Sequence, residues 1–501
     1  MFLVGIIHMK EKGDVGRNLQ MLWLLPIHAL VWTFAAWLSW GNLDRQGDMV
    51  ENYVWGIEWQ AGYSKHPPLF AWITAAWFRV FPHTDIAYFL LSALNAMVGL
   101  LGIVALAKRF LPTRLAILAG LAMAVSPLYS NLAIKFNANA VLLLLWPWTA
   151  YFFVCFMQNR RVDCAIALGV LFGASMLGKY FSVVLLVALC VAALMHPAWR
   201  AALLSRRSWL VAGAAAVVML PHLYWLVSND FLTLRYAQNR TGGTVSEAIV
   251  RFCIYTIAQL GYLLPSFCFI ALLTRTHWWQ AALAMARSCV VPPERSGLWW
   301  LVASPLIVVG AAAVAAKTQM ASVWGMAQWF AIVPFWLVVL RRGGFEITPA
   351  RAPRVMLAYW LIVLLVASIV GWLAAKRNTE GGAEPRAELA AAASNLWRQR
   401  IGGDIPIVGG AINEARSIAF YSRGHTRFWD FRHSYETPWV SAADVAREGA
   451  LLVCRDSDPD CIAAASSISS ASPSLCEVKK QAWGMTLPAR KYQLFLMPPH
   501  A

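Results

Sequence analysis

Residues 85–107 read DIAYFLLSALNAMVGLLGIVALA, with no charged side chain after Asp85. About 20 such residues in a helix are enough to cross the core of a bilayer. Comparable apolar runs lie on either side of it, at 20–40, 115–134, 140–158, 163–178, 181–196, 208–227, 248–274, 298–316, 322–340 and 356–375. The sequence therefore predicts about eleven transmembrane helices, the runs at 163–178 and 181–196 being the shortest. Composition agrees. Of 501 residues, 59% are hydrophobic and 13% charged, the mean hydropathy is +0.55, and soluble domains carry roughly a quarter charged residues. A soluble enzyme and an intrinsically disordered chain are both excluded. The chain reads as a polytopic α-helical membrane protein.

Charge gives the expected orientation. The formal net charge of +17 lies entirely before residue 378, because residues 378–501 hold 13 basic and 13 acidic side chains. Basic charge on a membrane segment reports topology and anionic lipid rather than nucleic acid. One set of connecting loops holds Lys10, Lys12, Arg17, Lys108, Arg109, Arg114, Arg160, Arg161, Arg200, Arg206, Arg207, Arg275, Arg287, Arg295, Arg341, Arg342, Arg351 and Arg354. The opposite set holds Arg45, Lys65, Arg79, Lys135, Lys179, Arg235, Arg240 and Lys317. Eighteen against eight places the N-terminus in the cytoplasm. An odd number of crossings then puts the C-terminus outside, which in a Gram-negative bacterium is the periplasmic face of the inner membrane. The first apolar run, with its basic leader and no small-residue cleavage site, is read as an anchor.

Two domains are expected: a membrane domain over 1–377 and a small α/β domain over 378–501. The second alternates a helix at 383–400, a strand at 405–408, a helix or strand at 413–421, and strands at 449–454 and 492–497. An oxidising exterior would permit one disulfide among Cys454, Cys461 and Cys476, leaving one thiol over. The other six cysteines are read as packing residues.

Within the membrane domain the densest polar cluster is the first outer loop, residues 41–84. Its segment GNLDRQGDMVENYVWGIEWQAGYSKHPPLFAW carries Asp44, Asp48, Glu51, Glu58, Lys65 and His66 among Tyr53, Trp55, Trp59, Tyr63 and Trp72. Forty residues are more than a connector needs. The aromatic segment 69–81, too short to span, is read as an interfacial helix. Lys135, Lys179 and Lys317 stand singly at outer helix ends and Arg235 lies in the loop 228–247. Any one such lysine ordinarily snorkels to headgroups. Together around an acidic loop they suit a lipid phosphate held at the surface. A sugar on a polyprenyl phosphate leaves behind a stable phosphate anion, which needs cations for stabilisation. The acceptor hydroxyl needs a general base, which a loop carboxylate supplies.

The string D-x-x-E-N-Y-x-W-G-x-x-W-Q-x-G-Y-x-K-H-P-P-L-x-x-W from Asp48 to Trp72 resembles the first-loop signature of family 39-type glycosyltransferases. These are GT-C membrane enzymes using lipid-phosphate-linked sugars, among them protein mannosyltransferases, lipid A aminoarabinose transferases and lipopolysaccharide core galacturonosyltransferases. The likeness runs over roughly 20–340, with weaker echoes at Asn137-Ala-Asn139, Gly178-Lys179-Tyr180, and Lys317 with Trp324. It implies a GT-C fold and Asp48 as catalytic base. Relatives often carry adjacent Asp-Glu, whereas here Asp48 and Glu51 are three apart, on one face if helical, so either carboxylate remains open as the base. Lys65, His66, Lys135, Lys179, Tyr180, Arg235 and Lys317 would hold the donor phosphate or lipid. Tyr53, Trp55, Tyr63, Asn137 and Asn139 would position substrate.

The expected partners are a polyprenyl-phosphate sugar, an envelope glycolipid or protein acceptor, and membrane lipids, with no nucleic acid and a monomeric chain. No firm cofactor is expected, although loop carboxylates leave a divalent cation open. The histidines show no metal-ligand spacing. Asp456-Ser-Asp458 mimics a nucleotide-sugar motif but is read as a solvated turn beside Pro459. The rival class, a transporter or lipid flippase, would show internal repeats and midplane charges; neither is evident. A receptor-like or assembly protein would need a convincing site in the outer domain, and none is legible.

Overall fold

The computed structural model describes residues 12–238, 242–274, 277–292, 296–318, 320–422, 424–469 and 472–499. Of the basic residues weighed for orientation, Lys10, Arg240, Arg275 and Arg295 lie outside these.

The chain is a multi-pass helical membrane protein. Among the described residues seven helices are long and apolar enough to span: Gly16–Trp40, Asp85–Ala107, Val141–Asn159, Ser208–Ser228, Val245–Leu273, Gly297–Ala315 and Pro349–Lys376. The pair Ser322–Trp329 and Ile332–Arg342, bent by 48°, makes an eighth if counted as one span. The sequence predicts about eleven, with the runs at 163–178 and 181–196 the shortest. The remaining three apolar runs do form helices, but short ones: Thr113–Ala124, Val162–Gly178 and Tyr180–Met195. Residues 125–134 leave the helix for a 3₁₀ turn at Pro127–Tyr129 and further turns. At 178–180 the extended Lys179 (φ −165°) separates the two helices, at the break between the runs 163–178 and 181–196.

Local sequence sets these boundaries. Thr84 caps Asp85–Ala107 by accepting from the Ala87 amide, and Thr244 with Glu247 forms a capping box on Val245–Leu273. Gly41, at φ 69°, ends the first span. Helices approach closely where a side chain is missing. A Cβ on Gly99 would strike the Leu143 carbonyl, and one on Gly371 the Leu38 carbonyl. Large apolar side chains such as Trp209, Val217 and Tyr224 stand exposed along Ser208–Ser228, as suits a lipid-facing surface.

Beyond Lys376 comes a helix, Arg386–Arg400, and a mixed sheet. The strands are β1 (Ile407–Gly410), β2 (Arg427–Trp429), β3 (Ala450–Arg455), β4 (Ser474–Val478), β5 (Gln481–Ala482), β6 (Met485–Thr486) and β7 (Arg490–Met497). The five-stranded sheet has the order β2-β1-β3-β7-β4. β1 lies parallel to β2 and β3, while β7 runs antiparallel to β3 and β4. β1 is wholly buried and β3 nearly so, the pattern of strands covered on both faces. Residues 413–421, open between helix and strand in the sequence, belong to the helix Ile412–Tyr421. β2, β4 and the β5–β6 hairpin carry too little apolar pattern to be anticipated. Cys454 and Cys461 form the disulfide and Cys476 keeps its thiol.

Candidate active site at the loop face

The first loop does not hang free. Asp44, buried, accepts from the backbone amides of Asp48 (3.0 Å) and Met49 (2.8 Å), so its carboxylate stabilises the start of a loop helix, Asp48–Gly56. Anions at helix N-termini are favoured by the unpaired amides there. Gly47, at φ 79°, makes the turn into that helix; a Cβ there would strike Asn413. The helix buries Met49, Val50, Tyr53, Val54 and Trp55, and the short helix Leu69–Phe78 packs beside it, burying Phe70, Ala71, Thr74, Ala75 and Phe78.

Asp48 and Glu51 leave this helix one turn apart, into different surroundings. The Asp48 side chain is 38% exposed and its Oδ2 lies 3.0 Å from Lys135 Nζ. It also accepts from Asn137 Nδ2 at 3.1 Å. Lys135 reaches Asp44 Oδ2 (3.2 Å) and donates to Gln46 (3.2 Å) as well. Burial pushes the Asp48 carboxyl up, but the Lys135 charge and the hydrogen bonds from Lys135 and Asn137 outweigh it, with a smaller pull from His66. Asp48 thus stays ionised below the usual carboxylate range. Lys135 is shifted the other way: burial lowers it, and Asp44 and Asp48 together raise it above its ordinary value. The loop carrying Lys135 is itself pinned, since Asn52 donates to the Phe136 carbonyl (2.6 Å) and Asn95 to that of Ala140 (2.7 Å).

Glu51 is nearly closed off, 11% exposed, with Lys65 and Arg416 both 2.9 Å from Oε1. Burial lowers the Lys65 ammonium, but Glu51 raises it above its usual value. Arg416 belongs to the C-terminal region, which grips the first loop at further points. Arg427 pairs with Glu58 through two bonds of 3.0 and 3.2 Å, Ser64 donates to Glu436 (2.6 Å), and Arg386 donates to the Asp44 carbonyl (3.2 Å). Lys480 reaches Asn42 Oδ1 at 2.8 Å. Burial raises the Glu58 carboxyl despite Arg427.

Asn139 accepts from Lys179 Nζ at 2.5 Å, and that ammonium sits 4.9 Å above the Trp324 ring. The cation on Trp324 is therefore Lys179, not the Lys317 paired with it on the sequence. Tyr180 hydrogen-bonds His222 (2.6 Å), whose other ring nitrogen meets the Ala61 carbonyl (2.7 Å). Asp48, Asn137, Asn139, Lys179 and Tyr180 thus follow one another across the loop face.

Other expected site residues are placed differently. Tyr53, Trp55 and Tyr63 are buried, so they hold the loop rather than stack on a sugar. Trp55 stacks on Tyr63 at 5.1 Å, Tyr63 donates to the Trp55 carbonyl, and Tyr53 meets Phe78, His83 and Phe420 edge-on. Lys65 is committed to Glu51 rather than open to a phosphate. His66 packs edge-on against Phe70 and Tyr236. Arg235 and Lys317 are exposed, and among the described residues no hydrogen bond or ion pair ties either to the Asp48 cluster. Asp458 caps the helix Pro459–Ile468, and Gln493 donates to Asp456, as befits a structural turn. Among the described residues no group of three or more His, Cys, Asp or Glu is placed to hold a metal ion. Gln46, Asn52, Asn95, His222, Arg386, Arg416 and Arg427 were not singled out from the sequence. Only their partners, distant along the chain, mark them.

Residues 65–225 match the family described as dolichyl-phosphate-mannose-protein mannosyltransferase, bearing out the resemblance read from the first loop. Over 215 residues the chain is 26% identical to the lipid A galacturonosyltransferase RgtD of Rhizobium johnstonii, covering 42% of this chain and 45% of that one. Over 350 residues it is 23% identical to the lipopolysaccharide core galacturonosyltransferase RgtB of the same organism, covering 64% and 65%. The matched part is less than two thirds of the length of either relative. The fold is shared almost throughout with the crystal structure of ArnT from Cupriavidus metallidurans bound to undecaprenyl phosphate, at TM-score 0.60 and 17% identity, over 94% of this chain and 97% of that one. The apo form of the same protein gives a TM-score of 0.59.

Proposed function

We propose that this chain is a membrane glycosyltransferase that moves a sugar from a polyprenyl-phosphate donor to an envelope glycolipid of the lipid A or lipopolysaccharide type, with Asp48 as general base. The observation that carries the reading is the Asp48 carboxylate. It is half-exposed and kept ionised by Lys135 and Asn137, and it stands beside a cationic turn at the outer ends of spanning helices. Support also comes from the relatives, two of which bear galacturonosyltransferase names, and from the undecaprenyl phosphate bound by ArnT.

In the reaction the bond from the anomeric carbon to the phosphate oxygen breaks, and a bond to the acceptor oxygen forms on the opposite face with inversion. The acceptor proton passes to Asp48 Oδ1 or Oδ2, and the electron pair leaves on the phosphate. Lys179, steadied by Asn139 and Trp324, is the cation best placed for that phosphate, with Tyr180 beside it. Such electrostatic stabilisation of a leaving anion acts most strongly where water is excluded. Glu51 is a positioning residue: its charge is taken up by Lys65 and Arg416, and it anchors the loop.

A membrane orientation with the loop face and the C-terminal region outside the cytoplasm, in the periplasm, accords with the basic-loop bias. The Cys454–Cys461 disulfide suits the same side. The test is mass spectrometry of envelope lipids from cells making the wild-type protein or Asp48→Asn at matched expression. Loss of a glycolipid species heavier by one sugar in the mutant identifies both sugar class and acceptor. Identical profiles would overturn the reading.

A further inference from the structure

His222 lies within the span Ser208–Ser228 and is wholly buried. Among the described residues no carboxylate pairs with it, and a buried ring without a counter-charge stays neutral. A neutral imidazole has one N–H to donate and one bare nitrogen to accept. Its Nδ1 lies 2.7 Å from the Ala61 carbonyl, which can only accept. The proton is therefore on Nδ1, the tautomer being assigned by the partners. Nε2 is then bare, and the Tyr180 hydroxyl, 2.6 Å away, donates to it. Thr233, the other hydroxyl beside Tyr180, spends its single proton on the Tyr63 carbonyl at 2.9 Å. Tyr180, part-exposed, is left with lone pairs and no proton to give. The same histidine also stands behind the first loop. Its ring stacks on Trp225 at 6.0 Å, and a Cβ on Gly62 would strike that indole. Residues 61–63, just ahead of Lys65, are thus held in a row by His222, Trp225 and Thr233. On the other side Tyr180 follows Lys179, the ammonium over Trp324. One buried ring ties two lysine-bearing turns together.

We propose that His222 is a positioning residue that fixes Tyr180 as a hydrogen-bond acceptor, so that Tyr180 reads a donating group on the donor sugar while Lys179 takes the phosphate. The phosphodiester linking a sugar to a polyprenol offers only acceptor oxygens. A hydroxyl whose proton is already given to an imidazole makes no bond to them. A sugar hydroxyl or amino group does donate, and the Tyr180 oxygen is free to receive it. Two neighbouring residues then divide the donor by polarity, a cation for the phosphate and an acceptor for the sugar. Tyr180, expected from the sequence at the phosphate or lipid, is moved by this tautomer to the sugar. The proposal rests on the glycosyltransferase reading for the identity of the ligand, but the tautomer is testable with no ligand present.

The test uses full-length protein in phosphatidylcholine nanodiscs. Affinity is measured for undecaprenyl phosphate and for its galacturonate, aminoarabinose and mannose derivatives. In the wild type at least one sugar should tighten binding several-fold over the bare lipid. Tyr180→Phe should weaken binding of that derivative about five- to tenfold, and of the bare lipid less than about twofold. His222→Gln should lose a similar amount, and the double variant no more than either alone, because the two residues act as one unit. Additive losses would overturn the positioning role. Equal losses on bare and glycosylated lipid, or no gain from any sugar, would overturn the sugar contact. Histidine-selective 15N NMR reads the tautomer directly, the resonance that Tyr180→Phe shifts being that of His222. Nδ1 should be protonated and Nε2 bare; a protonated Nε2, or no shifted resonance, would overturn the proposal. If His222→Gln fails to fold, Tyr180→Phe decides on both readouts. A wild-type protein that binds none of these lipids would count against the glycosyltransferase reading itself, and the sugar contact would fall with it.

Discussion

Asp48 and Glu51 sit on one face of one helix, yet the regions around them differ in nearly every respect. Around Asp48 the partners are a lysine and an asparagine from the next loop of the helical part, and 38% of the side chain stays exposed. Around Glu51 the partners are a lysine of the same loop and an arginine from more than 360 residues downstream, and almost no surface remains. A carboxylate with an open side can take a proton from a substrate. One enclosed by two cations holds structure together, because its charge is already spent on them. The difference supports the two roles proposed for them, which residue spacing left equal.

The comparison is broken most sharply at Asp48. Asp48→Asn keeps size and the Asn137 contact but removes the base, so transfer measured with a polyprenyl-phosphate donor should fall by about 10²- to 10⁴-fold with thermal unfolding little changed. A rate within a few-fold of wild type would move the base elsewhere. Glu51→Gln should show the reverse balance. It leaves the buried Arg416 and the part-buried Lys65 without their counter-charge, at a cost of about 3 kcal/mol in stability, and the added change Arg416→Met should recover part of it. Denaturant unfolding in detergent reads both, and an unchanged midpoint for Glu51→Gln would deny it the anchoring role.

A pH profile sharpens the comparison further. The base must be ionised, so the rate falls as pH drops through the Asp48 pKa. In the folded protein that pKa lies below the ordinary carboxylate value, chiefly because of the Lys135 charge, and the acid limb of the wild type should lie low accordingly. Lys135→Met removes the lowering charge and leaves the burial that raises it. The limb should then move up, and the ratio of rates at pH 5 and pH 7 should drop. An unmoved limb would mean that Lys135 does not tune the base. The same sign holds for stability: a depressed carboxylate stabilises above its unfolded pKa, and that contribution is lost as pH falls through the folded value. The smallest effect belongs to the disulfide, remote from both carboxylates. Cys454 and Cys461 are seven residues apart, and opening so short a loop should cost about 2–3 kcal/mol. Reduction should lower the unfolding temperature of the protein without altering the acid limb or the donor-binding signal.

The sequence by itself determined that this is a multi-pass membrane protein, where its helices lie, and which loop gathers the polar and aromatic side chains. Those are properties of runs: twenty apolar residues have few options other than a bilayer-spanning helix, and a polar aromatic loop stands out against them. It could not decide how many runs make full-length helices, because hydropathy is blind to the turns at 125–134. Nor could it tell buried aromatics from open ones. Tyr53, Trp55 and Tyr63 have the composition of a sugar platform, and only packing shows their faces already covered. The cations divide in the same way. Lys65, Lys135 and Lys179 look alike on the chain, but each is set apart by the carboxylates or amide brought near by folding. Arg416, Arg427 and Lys480 carried no signal at all, since their partners lie hundreds of residues away. Which carboxylate stays open is likewise a decision of the tertiary structure, because charge pairing depends on distance in space, and the sequence records distance only along the chain.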